Sequence, residues 1–237
     1  MTRGEREPRG NEGQRVAGRP DPKKKEGPAA GLEPETAALV RVAAGVAAGE
    51  RPELEARMRA ARAAGVPALW VEELLLQSML VVGYPLALVA FAVWRGLEEG
   101  PRRPREGAEP LAHEDWAVWA ERGQAVCRAV YGRAYHKLLL NLRALDPALE
   151  DLVLVDAYGK VIGRPGLDLK RRELCTVAAV AVLGTAEQLH SHLRGALNTG
   201  ASAREVEAVL ELIATDLTPE HRRRADEQWA DVRRRNL

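Results

Sequence analysis

Along this chain apolar residues recur three and four positions apart, the spacing that lines one face of a helix, and no strand pattern of consequence appears. Two stretches carry the same succession. "VAAGVAAGERPELEARMRAARAAGVPALWVEELLLQ" from Val42 and "VAAVAVLGTAEQLHSHLRGALNTGASAREVEAVLEL" from Val177 align without a gap at a constant offset of 135 residues. Val42, Gly49, Leu54, Arg59, Gly65, Val71 and Glu72 return as Val177, Gly184, Leu189, Arg194, Gly200, Val206 and Glu207. The pattern predicts a duplicated three-helix unit. In each copy an Ala/Val helix ends at a glycine, Gly49 or Gly184, where the chain must turn left-handed. A second, amphipathic helix ends at Gly65 or Gly200. In the later copy the third helix opens at Ser202 with Glu205 three residues on, a capping box.

Outside the repeat, "EDWAVWAERGQAVCRAVYGRAYHKLLLNL" is helical in pattern, interrupted at Gly123 and Gly132. "YGKVIGRPGLDLKRREL" reads as a loop, because glycines and Pro165 crowd together before Asp168 caps a helix from Leu169. Leu74 to Trp94 carries no charge over about the length that spans a bilayer. Gly83-Tyr84-Pro85 breaks it, since proline cannot donate to the helix ladder. Two buried helices meeting at a turn are therefore expected, not a membrane span. The fold class predicted is all-α, two related units per chain.

Composition sharpens this picture. Apolar residues make up 46% of the chain but aromatics only 4%, so Ala, Leu and Val do the packing, which favours helices. Residues 1–33 are rich in Gly, Pro, Arg, Lys and Glu and read as a disordered basic tail. The first unit is expected over residues 34–97, a Pro/Gly/charge linker over 98–112 and the second unit over 113–237. A formal net charge of +1 argues against a nucleic-acid partner. Cys127 and Cys175 form no CxxC, so neither a zinc knuckle nor a disulfide framework is indicated, and a cytoplasmic location fits.

Only five histidines are present, and His190 and His192 stand two apart. Helical residues at that spacing point about 200° apart, so the two cannot chelate one metal. His192 falls with Leu189, Leu193 and Ala196 on the apolar side, toward the helix that carries Glu173, while His190 falls with Arg194 on the other. On the residues alone, His192 is either an acid/base group or a satisfied structural histidine. Glu173, in "KRRE", pairs as readily with Arg172 or Lys170.

"RPGL" at Arg164 to Leu167, "REL" at Arg172 to Leu174, "HLRGALNTG" around His192 and the "AREVEAVL" helix resemble the carboxymuconolactone decarboxylase family, relatives of the alkylhydroperoxidase D proteins. The likeness runs over about Gln124 to Ala214, and "VEELLLQSMLVVGYPLALVAF" in the first half is similar to the family's last two helices. The resemblance implies an alkylhydroperoxidase D-like helical bundle. In those proteins a Glu, a CxxC pair and a His form a thiol and proton-relay site. Glu173 and His192 keep the matching separation, but Thr185 and Gln188 stand where the cysteines would fall. Without a thiolate, peroxide chemistry lacks its nucleophile. What remains implied is a cofactor-free carboxy-lyase on a small carboxylic acid or lactone, with His192 as proton donor and acceptor and Glu173 fixing its tautomer. Arg164 and Arg194 are the candidates to hold a substrate carboxylate, and Tyr84 to close a composite pocket whose catalytic groups come from the second unit. The first unit has Arg57 for His192 and Ala38 for Glu173, so one site per chain is expected, with no metal and no organic cofactor. A homo-oligomer, trimer or higher, is expected through apolar helix faces. Two alternatives stay open: a thiol peroxidase-like protein using Cys127 or Cys175, and a non-catalytic helical oligomer.

Overall fold

A computed structural model of the chain describes Met1, residues 31–98 and residues 115–236, and among these every regular element is helical. Most of the expected tail and of the linker lies outside the described residues. The first unit consists of α1 (Pro34–Ala48), α2 (Arg51–Ala63) and α3 (Ala68–Gly96). The second opens with α4 (Trp116–Tyr131), α5 (Tyr135–Leu145) and the short α6 (Ala148–Asp151), which runs into a π-helix, Leu152–Ile162. It continues with α7 (Leu169–Leu183), α8 (Ala186–Asn198), α9 (Ala203–Leu212) and α10 (Pro219–Asn236).

The offset of 135 residues holds at both ends of two helix pairs, α1 with α7 and α2 with α8, and at the starts of α3 and α9. Gly49 and Gly184 end their helices at φ 77° and 73°, the left-handed conformation that glycine adopts without steric cost. α1 and α7 lie side by side at the centre, with Leu39, Val42, Leu174 and Val177 wholly buried. The equivalent positions 36 and 171 touch each other, Arg171 Nε donating to Thr36 Oγ1 at 3.0 Å, as an approximate twofold between the units requires.

Polar side chains tie the units together. Arg172, fully buried, donates through Nη2 to Glu73 Oε2 (2.7 Å) and through Nε to the Leu167 carbonyl (2.9 Å). Gln77 Nε2 donates to Thr176 Oγ1 at 2.7 Å. A buried pair of this kind is stable only when its remaining donors are satisfied, as they are here by carbonyls and Gln77 Oε1.

Two expectations need correction. The segment read as a loop is helical up to Ile162, and only residues 163–168 turn. Its Gly159 is a packing residue: a Cβ there would lie 2.3 Å from the Trp119 carbonyl oxygen, so α4 and the π-helix cross backbone to backbone. Second, α3 does break where expected, at Gly83 (φ 74°, ψ 171°), but the helices on either side are not wholly buried. Leu80, Tyr84, Leu88 and Val89 are exposed, forming an apolar face on a helix long and apolar enough, by length and composition, to cross a membrane. The charged C-terminal stretch, α10, is the counterpart of the helix that follows the break in the first unit. Trp229 Nε1 faces Glu207 Oε1 at 3.3 Å as Trp94 Nε1 faces Glu72 Oε1 at 3.4 Å, and Ala225 and Val232 are buried as Ala90 and Leu97 are.

Candidate functional site

Asp168 caps α7 by accepting from the Arg171 amide, and this start sets the rotation that turns Glu173 inward, to 2% exposure. α8 packs along α7 through Leu189, Leu193 and Ala196, which brings His192 to the same seam. There His192 Nδ1 meets Glu173 Oε2 at 2.9 Å. Since the carboxylate accepts, Nδ1 carries the hydrogen, and a neutral ring keeps its lone pair on Nε2. His192 retains 16% side-chain exposure against 3% for Glu173, so the acid is buried behind the base.

Gly195, one turn beyond His192, makes the geometry possible. A Cβ at this position would fall 2.4 Å from Glu173 Oε2 and 2.9 Å from Val130 Cγ1. The missing side chain lets the carboxylate lie against α8 and lets the end of α4 close over it. Asn198 Nδ2 fixes that end by donating to the Val130 carbonyl at 2.7 Å.

The groups around the carboxylate come from α4 and the π-helix. Tyr131 and Tyr158 meet edge to face, ring centroids 6.2 Å apart. Burial pushes the Tyr131 hydroxyl up to about 12, opposed in part by a hydrogen bond from Tyr158 and reinforced by the Glu173 charge. Burial raises Tyr158 well above its ordinary value too. Cys127 is buried, and burial followed by the Glu173 charge pushes its thiol up to about 12. Burial raises the Cys175 thiol further still.

Of the five residues expected at the site, the structure brings together Glu173 and His192. Arg164 is held elsewhere, its Nε on Glu73 Oε1 at 2.8 Å beside the buried Arg172. Arg194 is half-buried on α8, but two residues from His192 it points about 200° away. Tyr84 stands at the α3 break, 66% exposed. The cover over the carboxylate is thus supplied by the second unit's own α4 and π-helix. His190 faces α10, with Nε2 3.2 Å from Asp231 Oδ2. In the first unit Arg57 binds both oxygens of Asp216, at 2.6 and 2.9 Å, and so clasps the second unit. Among the described residues no three His, Cys, Asp or Glu side chains converge as a metal set would.

Sequence reasoning missed Tyr131 and Tyr158. A signal was available: the chain has four tyrosines, and these two each precede a glycine in an aromatic-poor sequence.

The profile of the carboxymuconolactone decarboxylase family matches residues 24–96 and 151–225, one match on each unit. Among curated proteins, the chain is 30% identical over 91 residues to 4-carboxymuconolactone decarboxylase of Acinetobacter baylyi, covering 38% of this chain and 68% of that protein. It is 36% identical over 88 residues to an uncharacterized 15.0 kDa protein of Paracoccus denitrificans (36% and 66% covered). It is 35% identical over 92 residues to nitrosuccinic acid decarboxylase of Metarhizium robertsii (38% and 64% covered). Each alignment thus spans about two thirds of the relative.

Proposed function

The chain belongs to the carboxymuconolactone decarboxylase family, and on that premise we propose that it is a cofactor-free carboxy-lyase acting on a small carboxylic acid or lactone. The observation that carries this reading is the 2.9 Å contact between His192 Nδ1 and Glu173 Oε2, inside the second matched segment. In decarboxylation the bond from carbon to the carboxylate breaks, carbon dioxide leaves, and its electron pair stays on the substrate carbon or spreads into an adjacent carbonyl. That carbon must then take a proton. In this scheme His192, protonated at Nε2, delivers it, and Glu173 steadies the ring and the charge on it. Tyr131, kept protonated by burial and receiving a hydrogen bond from Tyr158, is the donor for a substrate oxygen.

Two relatives bear the names of decarboxylases with different substrates, 4-carboxymuconolactone and nitrosuccinic acid, which makes these acids the first to test. Carbon dioxide release from either above the uncatalysed rate supports the proposal. No release from these or other small β-activated acids contradicts it and leaves the non-catalytic helical oligomer. The thiol peroxidase alternative gains no support from Cys127 and Cys175, which are buried and held protonated. Self-association through the exposed apolar face of α3 completes the proposal, because a face of this kind is commonly a protein contact.

A further inference from the structure

Besides the central pair, two helix contacts join the units, α3 with α7 and α9 with α1, and the repeat makes each the counterpart of the other. Their residues differ in kind. At the offset of 135, Glu73, Gln77 and Arg172 of the first contact correspond to Ala208, Leu212 and Ala37 of the second, all six buried. Apolar side chains thus suffice to join α9 to α1, and a buried ion pair holds helices together no better than such packing. The polar set on α3 and α7 answers to something the other contact does not carry.

That burden is the turn at 163–168, which joins the π-helix to α7. Arg172 donates to two of its carbonyls, Leu167 at 2.9 Å and Arg164 at 3.1 Å, and to Glu73 Oε2 at 2.7 Å. Arg164 Nε, from the turn itself, donates to Glu73 Oε1 at 2.8 Å. One carboxylate of the first unit therefore holds both arginines. Gly166 lets the turn lie against it, since a Cβ there would fall 2.7 Å from Glu73 Cγ. The turn also stands between two cores: Leu167 belongs to the main one, whereas Ile162 and Leu169 pack with Cys127, Val130 and Tyr158 in a smaller one. The cover of the dyad is built on that smaller core. The π-helix meets α4 at Gly159 and Gly163, against Trp119 and Arg122, and α4 sets Val130 beside Gly195 and Glu173.

We propose that Glu73 is a positioning residue for the His192–Glu173 site: from the first unit, through Arg164 and Arg172, it fixes the turn and so seats the π-helix and α4 over the dyad. The first unit, without a dyad of its own, is thereby part of the second unit's site. The effect on turnover rests on the decarboxylase reading; the seating of the cover does not, and the two cysteines report it without substrate. Cys127 lies in the smaller core and Cys175 in the main one. Labelling of the full chain with a disulfide reagent, located by peptide mass, tests it. Glu73→Gln is expected to label at Cys127 roughly tenfold faster than the wild type, by local opening of the cover, while Cys175 stays closed. Gly166→Ala displaces the turn without stranding a buried cation and is expected to do the same, including where Glu73→Gln fails to fold. Gln77→Leu, which copies Leu212, weakens the contact between the units but removes no contact to the turn, and leaves Cys127 closed. On an acid that the wild type turns over, Glu73→Gln lowers kcat roughly ten- to hundredfold, as misplaced groups do, and Gln77→Leu does not. Cys127 closed in both turn variants, Cys127 and Cys175 opening together, or equal opening in Gln77→Leu overturns the proposal and leaves the network a tie between the units. So does a Glu73→Gln rate equal to that of the wild type.

Discussion

At the residue scale, one carboxylate organises the candidate site. Glu173 is nearly inaccessible, and besides His192 it acts on Cys127 and Tyr131, the groups that α4 lays over it. Burial in the presence of this charge favours the neutral forms of both. The folded values of Cys127 and Tyr131 are raised from 9.0 and 10.0 to about 12. Native stability from these two groups is therefore complete below pH 9 and is lost as pH climbs through 9 to about 12, where the unfolded chain ionises first. Chemical denaturation across that window is expected to show a falling midpoint, and Cys127→Ser with Tyr131→Phe should flatten the fall. The same burial predicts that neither thiol reacts with a disulfide reagent or peroxide at pH 8 until the chain unfolds. Rapid native reaction of either cysteine would restore the peroxidase reading.

At the scale of elements, the site depends on how closely helices approach. α4 crosses the π-helix at Gly159 with no room for a side chain, and the first methyl added there would meet the Trp119 backbone, which cannot swing aside. Gly159→Ala is expected to cost about 1–3 kcal/mol, as overpacking does, and to loosen Tyr131 and Tyr158 together. Thermal unfolding read alongside tyrosine fluorescence checks both; an unchanged midpoint would contradict the crossing. This is also where the sequence misled. Glycines at 159 and 163 look like loop punctuation in a one-dimensional pattern, whereas their cause is a neighbour about 40 residues away, at Trp119 and Arg122. The duplicated helices were legible because their signals are local: apolar spacing, terminal glycines and the Ser202–Glu205 capping box. Glu173 and His192 were legible through their separation on two predicted helices. What surrounds them was not, because no local pattern tells which helix covers a seam.

At the scale of the whole molecule, the repeat serves as an internal control. Leu88 and Val89, exposed on α3, correspond to Arg223 and Arg224 on α10, where ladders to Glu220 and Glu227 keep the helix solvated. One fold position is thus apolar in the first unit and charged in the second, an asymmetry expected if only the first faces a partner. Leu88→Arg copies the residue the second unit already carries, so it should leave the fold intact. The wild type is expected to run as a homo-oligomer in light scattering and Leu88→Arg as a monomer. A monomeric wild type, or a variant with unaltered mass, would contradict assembly through α3. The repeat equally explains why one unit holds the dyad while the other uses Arg57 to bind Asp216 and clasp its neighbour. The claim on which this account turns is that His192, steadied by Glu173, moves the proton. Carbon dioxide release by wild type, His192→Ala and Glu173→Gln, on whichever acid the wild type turns over, tests it most directly. The account predicts that His192→Ala lowers kcat by about 10²–10⁴-fold and Glu173→Gln by a smaller factor, both with unchanged helical content; a His192→Ala rate equal to that of the wild type would contradict it.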